Sequence, residues 1–205
     1  MDRIAVTGAL GRRQVLALGL AAAGLVACAP KPQPPARFAD ITFRQFPPIR
    51  LAVGQREILR QYRPPERAPN IEHHMPVSPE AMAVRWAEDR LAAAGGPGRV
   101  RFLIRDAQVI ETPLPRRSGV QGMFRTELSE RFEGRLSVAV EVLNAEGRKV
   151  GDVAAEVMRA EEMREDATVA ERDRLWFTMV ETMGRDLNAE LDRNIRTILA
   201  RFVVG

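Results

Sequence analysis

Two hydrophobic periods run through this chain, and they place its elements. From Ile49 to Leu59, the apolar Ile49, Leu51 and Val53 alternate with Arg50 and Ala52. That is the period-two pattern of a strand with one buried face, and Gly54 marks a bulge in it. Arg99 to Glu111 repeats the pattern: Val100, Phe102 and Ile104 alternate with Arg101, Leu103 and Arg105. Arg131 to Leu143 is the clearest strand. Phe132, Leu136, Val138, Val140 and Val142 take one face, with Glu133, Arg135, Ser137 and Glu141 opposite. Asn144-Ala145-Glu146-Gly147 supplies a hairpin turn, and Lys149 to Arg159 returns with Val153, Ala155 and Val157 inward. So short a turn makes this pair antiparallel.

A helical period appears twice. Ser78-Pro79-Glu80 combines a capping serine, a proline suited to the first helical turn and an acid that favours the helix dipole. The spacing predicts a helix to about Ala94, stopped by Gly95-Gly96-Pro97, with Met82, Ala83, Trp86, Ala87, Leu91 and Ala94 on one broad face. Arg90 falls inside that apolar arc. It reads as a side chain snorkelling from the helix edge into water, with a buried partner as the alternative. Thr168-Val169-Ala170-Glu171 is a capping box, and a helix follows to about Arg201. Trp176, Val180, Met183, Leu187, Leu191, Ile195, Ile198 and Phe202 form a continuous seam along it. At about 50 Å it exceeds what one sheet face needs, so its distal half is expected to project or to meet another chain.

These surfaces are buried together by an α+β fold. The expected form is an antiparallel sheet of about four strands with two helices packed on one face, in the order strand-helix-strand-strand-strand-helix. Gln61 to Met75, rich in proline and polar groups, reads as a surface loop, and Thr112 to Met123 as a second loop.

The first 27 residues do not fit this fold. Arg3, Arg12 and Arg13 precede an apolar run from Val15 to Val26, and Leu25-Val26-Ala27 leads into Cys28, the chain's one cysteine. The run is about a dozen residues where a membrane span needs roughly 20, so it reads as a secretory signal ending in a lipobox. Residues 1–27 are then signal, with Arg12, Arg13, Leu25, Val26 and Ala27 read by the export and processing machinery. Arg12-Arg13-Gln14-Val15-Leu16 also resembles the twin-arginine motif. Cys28 would carry a covalent diacylglycerol and an acyl chain, leaving no thiol for a disulfide, a metal or catalysis. Residues 28–37 follow as a tether in which four prolines favour an extended spacer, and residues 38–205 as a single domain.

Processing at Cys28 lowers the formal charge from +4 to +2, and acids and bases alternate along the remainder. No basic cluster with interleaved aromatics is present, which argues against nucleic acid as a partner. Chemistry-bearing patterns are equally sparse. Glu72-His73-His74 is the one histidine cluster, and neighbouring loop histidines do not reproduce a zinc-binding helix. There is no nucleophile elbow, and Gly95-Gly96-Pro97-Gly98 lacks the lysine and the strand-to-helix order of a phosphate loop. No catalytic residue, metal or cofactor is therefore expected.

The lipobox Leu25 to Cys28, the helix SPEAMAVRWAEDRLAAAG, the hairpin RLSVAVEVLNAEGRKVGDVAAEV and the long closing helix together resemble small envelope lipoproteins of Gram-negative bacteria. The nearest in style are the auxiliary lipoproteins of ABC-type lipid transport systems and the lipopolysaccharide-assembly lipoprotein. The resemblance is architectural, and the proline-rich loop from Arg63 to Pro76 departs from it. It implies a non-catalytic accessory protein, held by its lipid at the periplasmic face of the outer membrane (or, alternatively, the inner), that binds an envelope protein. On that reading the edge of the Ile49 strand, with Arg50 and Val53, and the Thr112–Met123 loop, with Arg116 and Arg117, are the candidate contacts. The alternatives are a structural lipoprotein that forms a homodimer through Leu191 and Ile195, and a periplasmic hydrolase.

Overall fold

The computed structural model describes residues 38–115 and 128–205. The expected signal and anchor residues Arg12, Arg13, Leu25, Val26, Ala27 and Cys28 lie outside this range, as do Arg116 and Arg117. The elements are β1 (Ile49–Leu51), β2 (Gln55–Arg60), α1 (Pro79–Arg90), β3 (Leu91–Ala93), β4 (Arg99–Asp106), β5 (Val109–Pro113), β6 (Leu128–Leu143), β7 (Lys149–Arg164) and α2 (Val169–Ile198).

The hairpin of β6 and β7 is the spine. Its strands have 16 residues each, and β7 runs to Arg164, past the expected end at Arg159. The turn is closed by Gly147 at φ 75° and by the Asn144 side chain, which accepts from the Arg148 amide at 2.8 Å. β6 is long enough to hold two partners end to end on its other edge. β4 pairs with Ser137–Leu143 and β5 with Glu130–Gly134. One expected strand, Arg99–Glu111, thus becomes two. The break falls at Ala107-Gln108, where Asp106 accepts from both the backbone and side-chain nitrogens of Gln108.

The five-stranded sheet is mixed, which corrects the expectation of a purely antiparallel one. β2 lies parallel to β4, with Gln55 opposite Arg99 and Arg60 opposite Ile104. A connection that includes a helix can return the chain to the end of the sheet where the first strand began, and the next strand then runs parallel. The Ile49–Leu59 strand also divides. After a break at Ala52–Gly54, β1 joins a separate two-stranded parallel sheet with β3.

Formation of β3 shortens the first helix. Leu91-Ala92-Ala93 has ample helix propensity, but α1 ends at Arg90. The Arg56 guanidinium donates to the carbonyls of Ala87, Glu88 and Leu91 at 3.2, 2.8 and 2.6 Å, satisfying groups that another helical turn would have used. Leu91 is then free to pair with Ile49.

Both helices cover one face of the sheet, as expected. Trp86 of α1 lies 5.6 Å from Phe102 of β4, and Trp176 of α2 meets Phe132 of β6 edge-on at 5.5 Å. Gly134 permits the close approach of α2, because a Cβ there would stand 3.0 Å from Met183 Sδ. The helix starts at the anticipated capping box, with Thr168 and Glu171 bonded reciprocally. The opposite face is a lattice of cross-strand ion pairs that includes Arg101 with Glu57 at 3.1 Å and Arg135 with Glu156 at 2.9 Å. Most of these side chains are partly exposed.

Candidate functional site

Three of the expected contact residues prove to be structural. Leu191 and Ile195 are fully buried in the core of their own chain, so the distal half of α2 does not project as expected. The seam reaches farther because the sheet it covers, built on 16-residue strands, is longer than the sequence patterns suggested. Val53 is also buried. Arg50 is exposed, but the β1 edge is not open. Phe202 accepts from the Ala52 amide and Val204 donates to the Arg50 carbonyl, both at 2.8 Å, so the C-terminal segment acts as a strand beside β1.

The Gln61–Met75 segment is more than a surface loop. Residues 69–71 lie along β5, with the Ile71 amide donating to the Val109 carbonyl at 3.0 Å and Glu111 to Pro69 at 2.9 Å. Glu72 then turns inward and is only 4% exposed. Its carboxylate accepts from the Tyr62 hydroxyl at 2.6 Å, from the Val109 amide at 3.1 Å and from the Asn70 side chain at 3.5 Å. Burial, followed by the hydrogen bond to Glu72 and its charge, pushes the Tyr62 phenol above its ordinary value and keeps it a donor.

Glu72 of this cluster also lines a cleft of about 440 Å³ beside the start of α1. Asp40, Ile41, His73, Val77, Met82 and Arg85 are among its walls. Its chemistry is mixed, with apolar walls and charges of both signs near the rim. Two of its side-chain oxygen groups are engaged in holding the fold. Glu72 is bonded to three donors, and Ser78 Oγ accepts from the Ala81 amide as the helix cap. The His73 and His74 rings lie with centroids 3.8 Å apart, tilted by 46°, and both are exposed. Among the described residues no group of three or more His, Cys, Asp or Glu side chains is arranged to hold a metal ion.

The strongest polar network lies elsewhere. Arg90 is 2% exposed, which corrects the expectation of a guanidinium in solvent. Its Nε donates to Asn188 Oδ1 at 2.9 Å, and Trp86 Nε1 donates to the same oxygen at 3.0 Å. The guanidinium also reaches the Pro47 carbonyl and Asp192, and stacks over the Phe46 ring at 5.4 Å. Burial lowers the Arg90 pKa, and the Asp192 charge opposes that shift. One arginine thereby joins α1, α2 and the segment entering β1. Asn188 interrupts the apolar side of α2, next to Leu187 and three residues before Leu191, and that interruption was the available signal for a buried acceptor.

No protein-family model matches the chain, and no curated protein matches it. Several solved structures are similar to it. A minor lipoprotein from Acinetobacter baumannii is 15% identical with a TM-score of 0.38, covering 78% of this chain and 99% of its own. A chain of Caulobacter crescentus CB15 provisionally described as a lipoprotein is 15% identical with a TM-score of 0.30, covering 58% of this chain and 81% of its own. A Helicobacter pylori chain provisionally described as a neuraminyllactose-binding hemagglutinin homologue is 4% identical with a TM-score of 0.41, covering 78% and 95%. Likeness at this level assigns neither activity nor partner. Among the described residues no helix is long and apolar enough to cross a membrane.

Proposed function

We propose that this chain is a membrane-anchored envelope lipoprotein that serves as a non-catalytic accessory or assembly factor for an envelope transport complex. The observation that carries the reading is Leu25-Val26-Ala27-Cys28 behind an arginine pair and a short apolar run. Cys28 bears the lipid, and the proline-rich tether holds the folded body off the bilayer by roughly 30 Å at most. The non-catalytic role is supported by the engagement of Glu72, Tyr62, Ser78 and Arg90 in holding the fold together. The cleft beside α1 and the exposed Arg50 are the surfaces offered to a partner. The alternative of a dimer through Leu191 and Ile195 loses its support with the burial of both residues.

Mass spectrometry of the native protein tests the anchor. An N-terminal peptide beginning at a lipid-modified Cys28 is expected, together with palmitate labelling that disappears in Cys28→Ser. An unmodified thiol, or a chain found in the cytosol with residues 1–27 intact, would overturn it. Cross-linking in intact cells tests the accessory role, with transport components as the expected captures.

A further inference from the structure

The long strand β7 has one edge on β6 and one edge that is largely unpartnered. The Arg135 amide donates to the Gln108 carbonyl at 2.9 Å, so the backbone of Arg135 points away from β7. Arg135 faces Met158 in the ladder. In an antiparallel pair both backbone groups of one residue point to the same side, so those of Met158 point outward. By alternation Glu156, Ala160 and Glu162 do the same; past the register shift, the Arg164 carbonyl already accepts from the Ala167 amide at 3.2 Å. The near part of the edge is already occupied. Asn194 of α2 donates to the Ala154 carbonyl at 3.2 Å, and Arg201 donates to the Val150 carbonyl. From Glu156 to Glu162, no described residue pairs with the edge. Met158 there is 63% exposed, and Glu156, Arg159, Ala160 and Glu162 are exposed as well. An open edge of this length is a template for another strand.

We propose that the occupant is the β7 edge of a second copy of this chain, paired antiparallel about a two-fold axis at Ala160. The charge pattern selects both partner and register. With Ala160 opposite its own counterpart, Glu156 faces Arg164, Arg159 faces Glu161, and Val157 faces Met163, each pair occurring twice by symmetry. Met158 meets Glu162, and no like charges meet between Glu156 and Arg164. A slip of two residues one way sets Arg159 against Arg159 and Glu156 against Glu162. The same slip the other way sets Glu161 against Glu161. A one-residue slip would oppose outward-pointing residues to inward-pointing ones and lose the hydrogen bonds. The Ala160 register also stays clear of the carbonyls held by Asn194 and Arg201. The assembly doubles the five-stranded sheet, with all four long helices on one face. This interface is independent of the lipid anchor.

The test uses the full chain with Cys28→Ser, so that an introduced cysteine is the lone thiol. Ala160→Cys should give a covalent dimer with a short bis-maleimide. Glu156→Cys should not, because the two copies of that residue stand about 27 Å apart along the strands. Sedimentation equilibrium in mild detergent should show a reversible dimer. Arg164→Glu should weaken it about tenfold, by placing like charges at two symmetric positions. Adding Glu156→Arg to that variant should restore it. A monomer at every concentration overturns the proposal. So does a monomer whose Met158 and Ala160 amides are protected by another segment of the same chain, and so does a dimer indifferent to the Arg164→Glu substitution.

Discussion

At the scale of single residues, this protein spends its buried polarity on joints. Asn188 Oδ1 serves two donors from α1, Trp86 and Arg90, and nothing else among the described residues replaces it. Asn188→Ala should lower unfolding stability by about 2–4 kcal/mol, read from urea titration, because a buried indole N–H and a buried guanidinium both lose their acceptor. Arg90→Met, which removes the charge and fills similar space, should cost less than Asn188→Ala does. Asp89 makes a joint of a different kind. Burial opposes its ionisation, but the Phe43 amide, the Thr42 hydroxyl and Arg44 outweigh that and hold its pKa below the ordinary value. An unfolded aspartate titrates near about 3.9. The folded carboxyl binds its proton only at lower pH, so its contribution is complete above that value and fades as pH falls through the folded pKa. Wild type should therefore exceed Asp89→Asn in thermal midpoint at pH 7, with the difference closing as the pH is lowered past the unfolded value of about 3.9.

At the scale of elements, the outcome turned on ends and edges. The faces of the long strands were visible in the period-two patterns, and Phe132, Leu136, Val138, Val140 and Val142 all face the core as expected, whereas β3 was hidden inside an expected helix. The start of each helix was visible too, because a cap is made of neighbouring residues. The end of α1 was not, because the group that replaces its next turn is Arg56, some thirty residues earlier in the chain. The β1 edge was misread for a similar reason. Its partner is the last stretch of the chain, Phe202 to Val204, which carries no strand pattern of its own. Truncation after Leu199 should expose that edge. Hydrogen exchange at the Ala52 amide should then rise at least about tenfold, with amides in the middle of β6 unchanged.

At the scale of the whole molecule, one face of the sheet carries the stability and the other carries charge. The ion pairs on the open face are numerous but partly solvated, as with Arg135 and Glu156, whose side chains are each 45% exposed. Pairs of this kind contribute little each, and salt screens them. Raising salt from about 0.05 to about 0.5 M should shift unfolding stability by no more than about 1 kcal/mol. Their greater use is in specificity. Alternating charge keeps this face in water and, along β7, favours the Ala160 register over a slip of two residues either way.

The sequence alone determined what depends on near neighbours: the period and buried face of the longest strands and of both helices, the caps of both helices, and the Asn144–Gly147 turn. The tertiary structure alone decided which strands meet, that β2 runs parallel to β4, that Arg90 and Glu72 go inside, and that the C-terminus closes the β1 edge. The physical reason is range. A periodic pattern is a property of consecutive side chains, whereas a buried charge or a strand edge is satisfied by a group that only folding brings near. Arg90 shows this most plainly: the same apolar arc would suit a snorkelling arginine or a buried one, and the oxygen of Asn188, 98 residues away, is what draws it in.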